Sequence, residues 1–156
     1  MKRLQSVSIL AAVAVLAITV VVIVSAQSST GADADAVRAV IEKSYFHGAF
    51  NELNPDAMRA GFHPDFAIFS ADGDAMAKYP IAAWAESVAK RKSSPGFDPQ
   101  KNKWDCRIVT LDVTAGAAAA KVELSRNGKL VYTDYLSLLR FSSGWRIAAK
   151  VYQEHK

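Results

Sequence analysis

The chain has 156 residues, a formal net charge of +4, one cysteine and three histidines. Much of the basicity belongs to a removable segment, so charge gives no case for a nucleic-acid partner. Cys106 has no second cysteine to pair with, which excludes an intramolecular disulfide framework.

Lys2 and Arg3 precede a 16-residue run, Ile9 to Val24, in which only Thr19 is polar. Small residues at Ser25 and Ala26 complete the layout of a signal peptide cleaved after Ala26. The alternative is a retained membrane anchor. Sixteen helical residues reach only ~24 Å, against a hydrocarbon core of ~30 Å, though extension back to Leu4 lengthens the run enough to span. The sequence therefore predicts an exported protein, periplasmic or secreted, with no membrane contact after cleavage. Removing Lys2 and Arg3 takes the basic count from 19 to 17 against 15 acids, a mature net charge of +2. The organisation expected is a signal peptide at 1–26, a disordered leader at 27–32 and one domain at 33–156, long enough for a core of its own.

In that domain Val37, Val40, Ile41, Ser44, Tyr45 and Gly48 fall at helical spacing, with Asp33 or Asp35 as cap. Asn54-Pro55-Asp56 starts a second, short helix that stops near Gly61. A strand is expected over Phe66 to Ser70, then a turn at Asp72-Gly73-Asp74. Tyr79-Pro80 opens a third helix, with Ile81, Trp84, Ala85 and Val88 on one face and Lys90-Arg91-Lys92 at its C-terminal end. After a polar loop to Lys103, everything reads as strand: Trp104–Thr114, Ala118–Ser125, Lys129–Phe141 and Trp145–Gln153. Asn127-Gly128 is the strongest hairpin signal. Cys106, inside a strand, reads as a small buried hydrophobe.

Helices first and an antiparallel meander after them give an α+β class. The helices should lie on one face of a curved antiparallel sheet, and the open end of such a cone is a natural pocket. Tyr45-Phe-His-Gly48, Asn54-Pro-Asp56, Phe62-His-Pro-Asp-Phe66, Thr133-Asp-Tyr-Leu-Ser-Leu-Leu139, Trp145-Arg-Ile147 and Lys150-Val-Tyr152 together resemble the nuclear transport factor 2-like superfamily, of cystatin-like cone shape. Within it the chain most resembles the secreted bacterial branch labelled "putative lumazine-binding". The superfamily holds isomerases, cyclases and dehydratases as well as non-catalytic association domains, so fold alone does not name an activity.

The resemblance allows one residue-level test. In the steroid-isomerase-like members a tyrosine on the first helix donates to an oxyanion, and Tyr45 matches it. The aspartate base of those members falls near Ser70, whose hydroxyl is no base at neutral pH. Asp72 and Asp74 lie beyond it in a turn, where they should be solvated.

Tyr45, Trp84, Trp104, Tyr135 and Tyr152 are candidate pocket aromatics. The ligand-binding set expected is Tyr45, Trp84, Trp104 and Tyr135, Tyr45 and Trp84 first because their helices close the cone; part of this set must serve simply as core. His63 and Asp65 are the candidate acid/base pair, although His-Pro-Asp also reads as a mere chain turn. Asp134 shares parity with Leu136 and Leu138, an apolar face that would raise a carboxyl pKa, and a structural or interface role is the stronger reading for it. Asp105 is a second strand carboxylate. The Lys90–Lys92 cluster with Lys101 and Lys103 would attract an anion or stay a solvated loop. Histidine spacing predicts no metal, and no cofactor motif is present.

The expected function is binding of a small apolar or aromatic molecule in the cone of a homodimer. The alternatives are an enzyme of the cyclase, isomerase or dehydratase type using His63 and Asp65, and a non-catalytic dimeric interaction module.

Overall fold

The computed structural model describes residues 31–156, and Ala34–Lys156 form one compact unit. The signal peptide and most of the leader expected at 27–32 lie outside the described residues; 31 and 32 are helical. No helix among the described residues is long and apolar enough to cross a membrane.

The first helix, α1, is regular over 31–40 and widens into π geometry over Ile41–Asn51. Its end closes with Glu52 N–H donating to the His47 carbonyl and Asn54 N–H to that of Gly48. Asp33 and Asp35 fall inside the helical run rather than capping it. Helix α2, Pro55–Gly61, starts as expected: Asn54 Oδ1 accepts from the backbone of Asp56 and Ala57, with proline in the first turn.

Strand β1 spans Phe62–Asp72, longer at both ends than expected, and turns through Gly73 at φ 60° into a second strand, β2, Ala75–Pro80. Strand β2 was not expected: Ala75-Met-Ala-Lys-Tyr-Pro80 has no regular alternation of apolar and polar residues, and its side chains are exposed throughout. Helix α3, Ile81–Lys92, buries Ile81, Trp84, Ala85 and Val88, the stripe expected. Then come β3 Asp105–Thr114, β4 Ala117–Arg126, β5 Lys129–Phe141 and β6 Gly144–Glu154. Asn127 and Gly128 both have positive φ, 52° and 74°, as a tight hairpin requires.

The six strands make one curved, unclosed sheet in the order β2-β1-β6-β5-β4-β3. All neighbours are antiparallel except β1 and β6, which run parallel, and the four strands expected as an antiparallel meander, β3 to β6, pair in that way. The three helices and this sheet confirm the α+β cone class. Ala118, Ala120, Val122 and Leu124 of β4 and Leu136 and Leu138 of β5 face the helices.

One irregularity positions the site. Across β5 and β6, Ser137 pairs with Ala149 but Leu138 pairs with Ile147, so Ala148 is an extra residue, a β-bulge. Ile147 and Lys150 are three apart and would face opposite sides of a regular strand. With the bulge, both are buried.

Candidate functional site

Tyr45 from α1, Asp134 from β5 and Lys150 from β6 meet in the interior. Tyr45 and Asp134 are fully buried and Lys150 is 5% exposed. The Tyr45 hydroxyl donates to Asp134 Oδ2, and Lys150 Nζ donates to the same hydroxyl at 2.8 Å. Lys150 Nζ also stands 3.2 Å from Asp134 Oδ1, an ion-pair contact that is not aligned as a hydrogen bond. The wide turns of α1 turn Tyr45 inward together with Phe46, Ala49 and Phe50, and π geometry is found disproportionately at functional sites.

Four aromatic rings surround the ammonium. Their centroids lie 5.2 Å (Tyr45), 5.8 Å (Phe50), 5.4 Å (Trp84) and 5.0 Å (Tyr152) from Nζ. Rings at such distances attract a cation through their quadrupoles, so the chain encloses its own lysine in an aromatic cage. Burial draws the Lys150 pKa below that of a free lysine, against the pull of Asp134 in the other direction. Burial raises the Asp134 pKa, opposed by Lys150 and by the Tyr45 hydrogen bond. Tyr45 is held well above its ordinary value, first by burial and then by the Asp134 charge, and stays un-ionised.

Lys150 forms part of the floor of an open cleft of about 410 Å³, walled by Phe50, Trp84, Tyr132 and Tyr152. That volume lies within the range of small-molecule sites, ~300–1,000 Å³. Ser70 also lines it, no carboxylate is among the lining residues, and Asp134 lies against Lys150 in the interior. Asp72, Asp74 and Asp105 are exposed.

The sequence candidates separate. Tyr45 and Trp84 come together, with ring centroids 6.0 Å apart, and Trp84 lines the cleft. Trp104 lies on the far side of Phe50, 5.3 Å between centroids, and lines a different groove with Asn51 and Cys106. Tyr135 stands on the outer face of the sheet, 51% exposed. His63 stacks on Phe141, and its Nδ1 accepts from the Asp65 backbone at 3.2 Å and stands 3.7 Å from the Asp65 carboxylate. His63 borders a hollow with Phe62 and Ile81, separate from the cleft over Lys150. Among the described residues, no group of three or more His, Cys, Asp or Glu side chains is placed to hold a metal ion.

Lys150 was missed in the sequence. Counted in twos from Ile147 it belongs on the outer face, and only the bulge at Ala148 reverses that. A lysine amid the apolar residues of the last strand, with an aspartate on an apolar parity in the strand before it, was the available signal; in the sheet Lys150 pairs with Leu136 and Asp134 with Tyr152, one same-face step apart.

The α+β cone with its cleft at the open end is that of the NTF2-like class, and solved structures share it. An NTF2-like protein of unknown function from Shewanella baltica OS155 is 24% identical, with 78% of this chain and 93% of that one covered and a TM-score of 0.62. One from Silicibacter pomeroyi DSS-3 is 18% identical, covering 81% and 98%, also at 0.62. One from Methylobacillus flagellatus KT is 26% identical, covering 78% and 91%, at 0.58. The chain belongs to the family described as "Putative lumazine-binding", which matches residues 32–153. No curated protein matches it.

Proposed function

We propose that this chain is an exported binding domain whose cleft over Lys150 takes a small, largely aromatic molecule. The observation that carries this reading is a buried ammonium at the floor of an aromatic-walled cleft. Burying a charge is costly, and a lysine donates three hydrogen bonds. Tyr45 takes one and Asp134 the ion pair, so a third N–H is left for a ligand acceptor. Flat rings suit the walls, and a carbonyl oxygen suits the ammonium. The family's name points to lumazine, a planar heteroaromatic with ring carbonyls. Export rests on the signal-peptide layout of residues 1–26.

The test is a fluorescence and calorimetric titration of the purified protein with lumazine, followed by a panel of aromatic metabolites. Saturable binding that weakens in Tyr152→Ala, a half-exposed wall residue, supports the reading. A flat response to lumazine and the whole panel counts against it.

The outer face of the sheet supports the pairing of two copies. Tyr135 and Val151 are cross-strand partners about half exposed, with Leu139 two pairs along and the small residues Ala119, Ser137 and Ala149 between. Lys121 beside Tyr135 and Asp112 beside Ala119 supply opposite charges for a self-complementary two-fold contact. Sedimentation of the wild type as a dimer and of Tyr135→Lys as a monomer is expected. A monomeric wild type at micromolar concentration would remove this part.

A further inference from the structure

The walls of the cleft over Lys150 are unevenly charged. Lys78 on β2 and Arg91 on α3 both line it, and no carboxylate is among the lining residues. Neighbouring cations have acidic partners: Lys90 pairs with Glu86 at 2.9 Å and Lys101 with Asp98 at 3.5 Å. Lys78 and Arg91 form no ion pair among the described residues. At the floor, the Lys150 charge is matched by Asp134. The cleft therefore presents two unmatched positive charges over an aromatic box.

We propose that this cleft selects planar aromatic anions, with the rings against Phe50, Trp84 and Tyr152 and the acidic substituent facing Lys78 and Arg91. The inference rests on the binding reading of the same cleft and adds the charge of its ligand. Two cations are held on different elements, β2 and α3, so the pair is an arrangement of the fold and not of one local sequence run. A cleft with low-dielectric walls focuses the field of such charges on whatever enters it. Both side chains are exposed, so the attraction weakens as salt rises. The third N–H of Lys150 remains available to a ring carbonyl or ring nitrogen, which separates the two contacts: the floor reads a neutral acceptor, the rim reads charge.

The test compares two fluorescent probes of nearly the same shape. One is 1-anilinonaphthalene-8-sulfonate and the other its uncharged counterpart N-phenyl-1-naphthylamine; both brighten on leaving water. Each is titrated into the purified protein and into the Lys78→Glu/Arg91→Glu variant, whose changes are at exposed positions and spare the core. The expected result is an affinity for the sulfonate at least about tenfold above that for the neutral probe. That advantage should shrink between about 50 and 500 mM salt and vanish in the variant. Equal binding of the two probes overturns charge selection while leaving the cleft a binding site. A preference that survives charge reversal places the anion elsewhere and also overturns it. If neither probe binds, both this inference and the binding reading fall.

Discussion

Asp134 and Lys150 stand 3.2 Å apart on neighbouring strands, their side chains 0% and 6% exposed, and both lean toward their neutral forms through burial. A pair so placed is poor evidence of stability, because desolvating two ions offsets most of their attraction. Its persistence in a small domain fits a polar site at the floor of a cleft better than a structural staple. The energetics of the pair can be separated by removing one partner or both.

Lys150→Met leaves Asp134 buried without its cation. The expected loss is about 3–5 kcal/mol at pH 8. Without Lys150 the influence that lowers the Asp134 pKa is gone, so it rises further above the unfolded value. The native state of the variant then takes up a proton at higher pH than the unfolded chain does. Its stability is greatest below the unfolded pKa and is lost as pH rises through the folded one. Urea melts should therefore show the deficit against wild type shrinking from pH 8 to pH 5. The double variant Asp134→Leu/Lys150→Met should regain most of the loss. A single variant as stable as wild type at pH 8 would mean that the pair is hydrated.

Tyr45→Phe removes a hydroxyl that donates to Asp134 and accepts from Lys150. Two buried polar groups each lose a partner, and the expected cost is about 1–3 kcal/mol. The hydrogen bond from Tyr45 holds the Asp134 pKa down, so its removal should move the carboxyl titration to higher pH. Carboxyl-carbon NMR titration of labelled aspartate reads this directly. A lower or unmoved Asp134 titration would show that the hydroxyl does not support the carboxylate.

Much of the architecture was legible because it rests on local chemistry. Asn54-Pro55 starts α2, Asn127-Gly128 closes β4 on β5, and the period-two burial of Ala118 to Leu124 follows the alternation written in the sequence. The burial of Asp134 was readable from its parity with Leu136 and Leu138. Lys150 was not readable, because a bulge breaks the parity rule at Ala148 and its position depends on the pairing of β5 with β6. Phe50 was not singled out, since nothing local tells a core phenylalanine from one on a cleft wall. Trp104 and Tyr135 had the right chemistry for a pocket, but strand parity and sheet order send them to other surfaces.

Gly61 shows how closely α2 approaches α1. A Cβ at this glycine would lie 2.1 Å from Ser44 Oγ and 2.3 Å from Ser44 Cβ, next to the Tyr45 that anchors the site. Gly61→Ala is therefore expected to destabilise by about 1–3 kcal/mol through overpacking. Ser44→Gly removes both clashing atoms, so in the Gly61→Ala/Ser44→Gly pair the two changes should cost less together than their separate costs add up to. Chemical denaturation of the four proteins in this cycle measures the coupling. Additive losses would show that the two helices part easily here.

Cys106 is half-buried on β3, and its Sγ accepts a weak hydrogen bond from Asn51 Nδ2 at 3.9 Å. Burial, reinforced by the Asp105 charge, pushes its thiol pKa up to about 12. The thiolate is the reactive form, so at pH 8 only about one thiol in ten thousand is poised to react. Ellman's reagent should modify the native protein far more slowly than the urea-unfolded chain, whose thiol titrates near ~8.5. The native rate should climb about tenfold per pH unit without levelling up to pH 10, because the thiolate fraction is still far from saturation there. A fast reaction at pH 7, or a plateau below pH 10, would show a lowered pKa and reopen Cys106 as a reactive group beside the Trp104 groove.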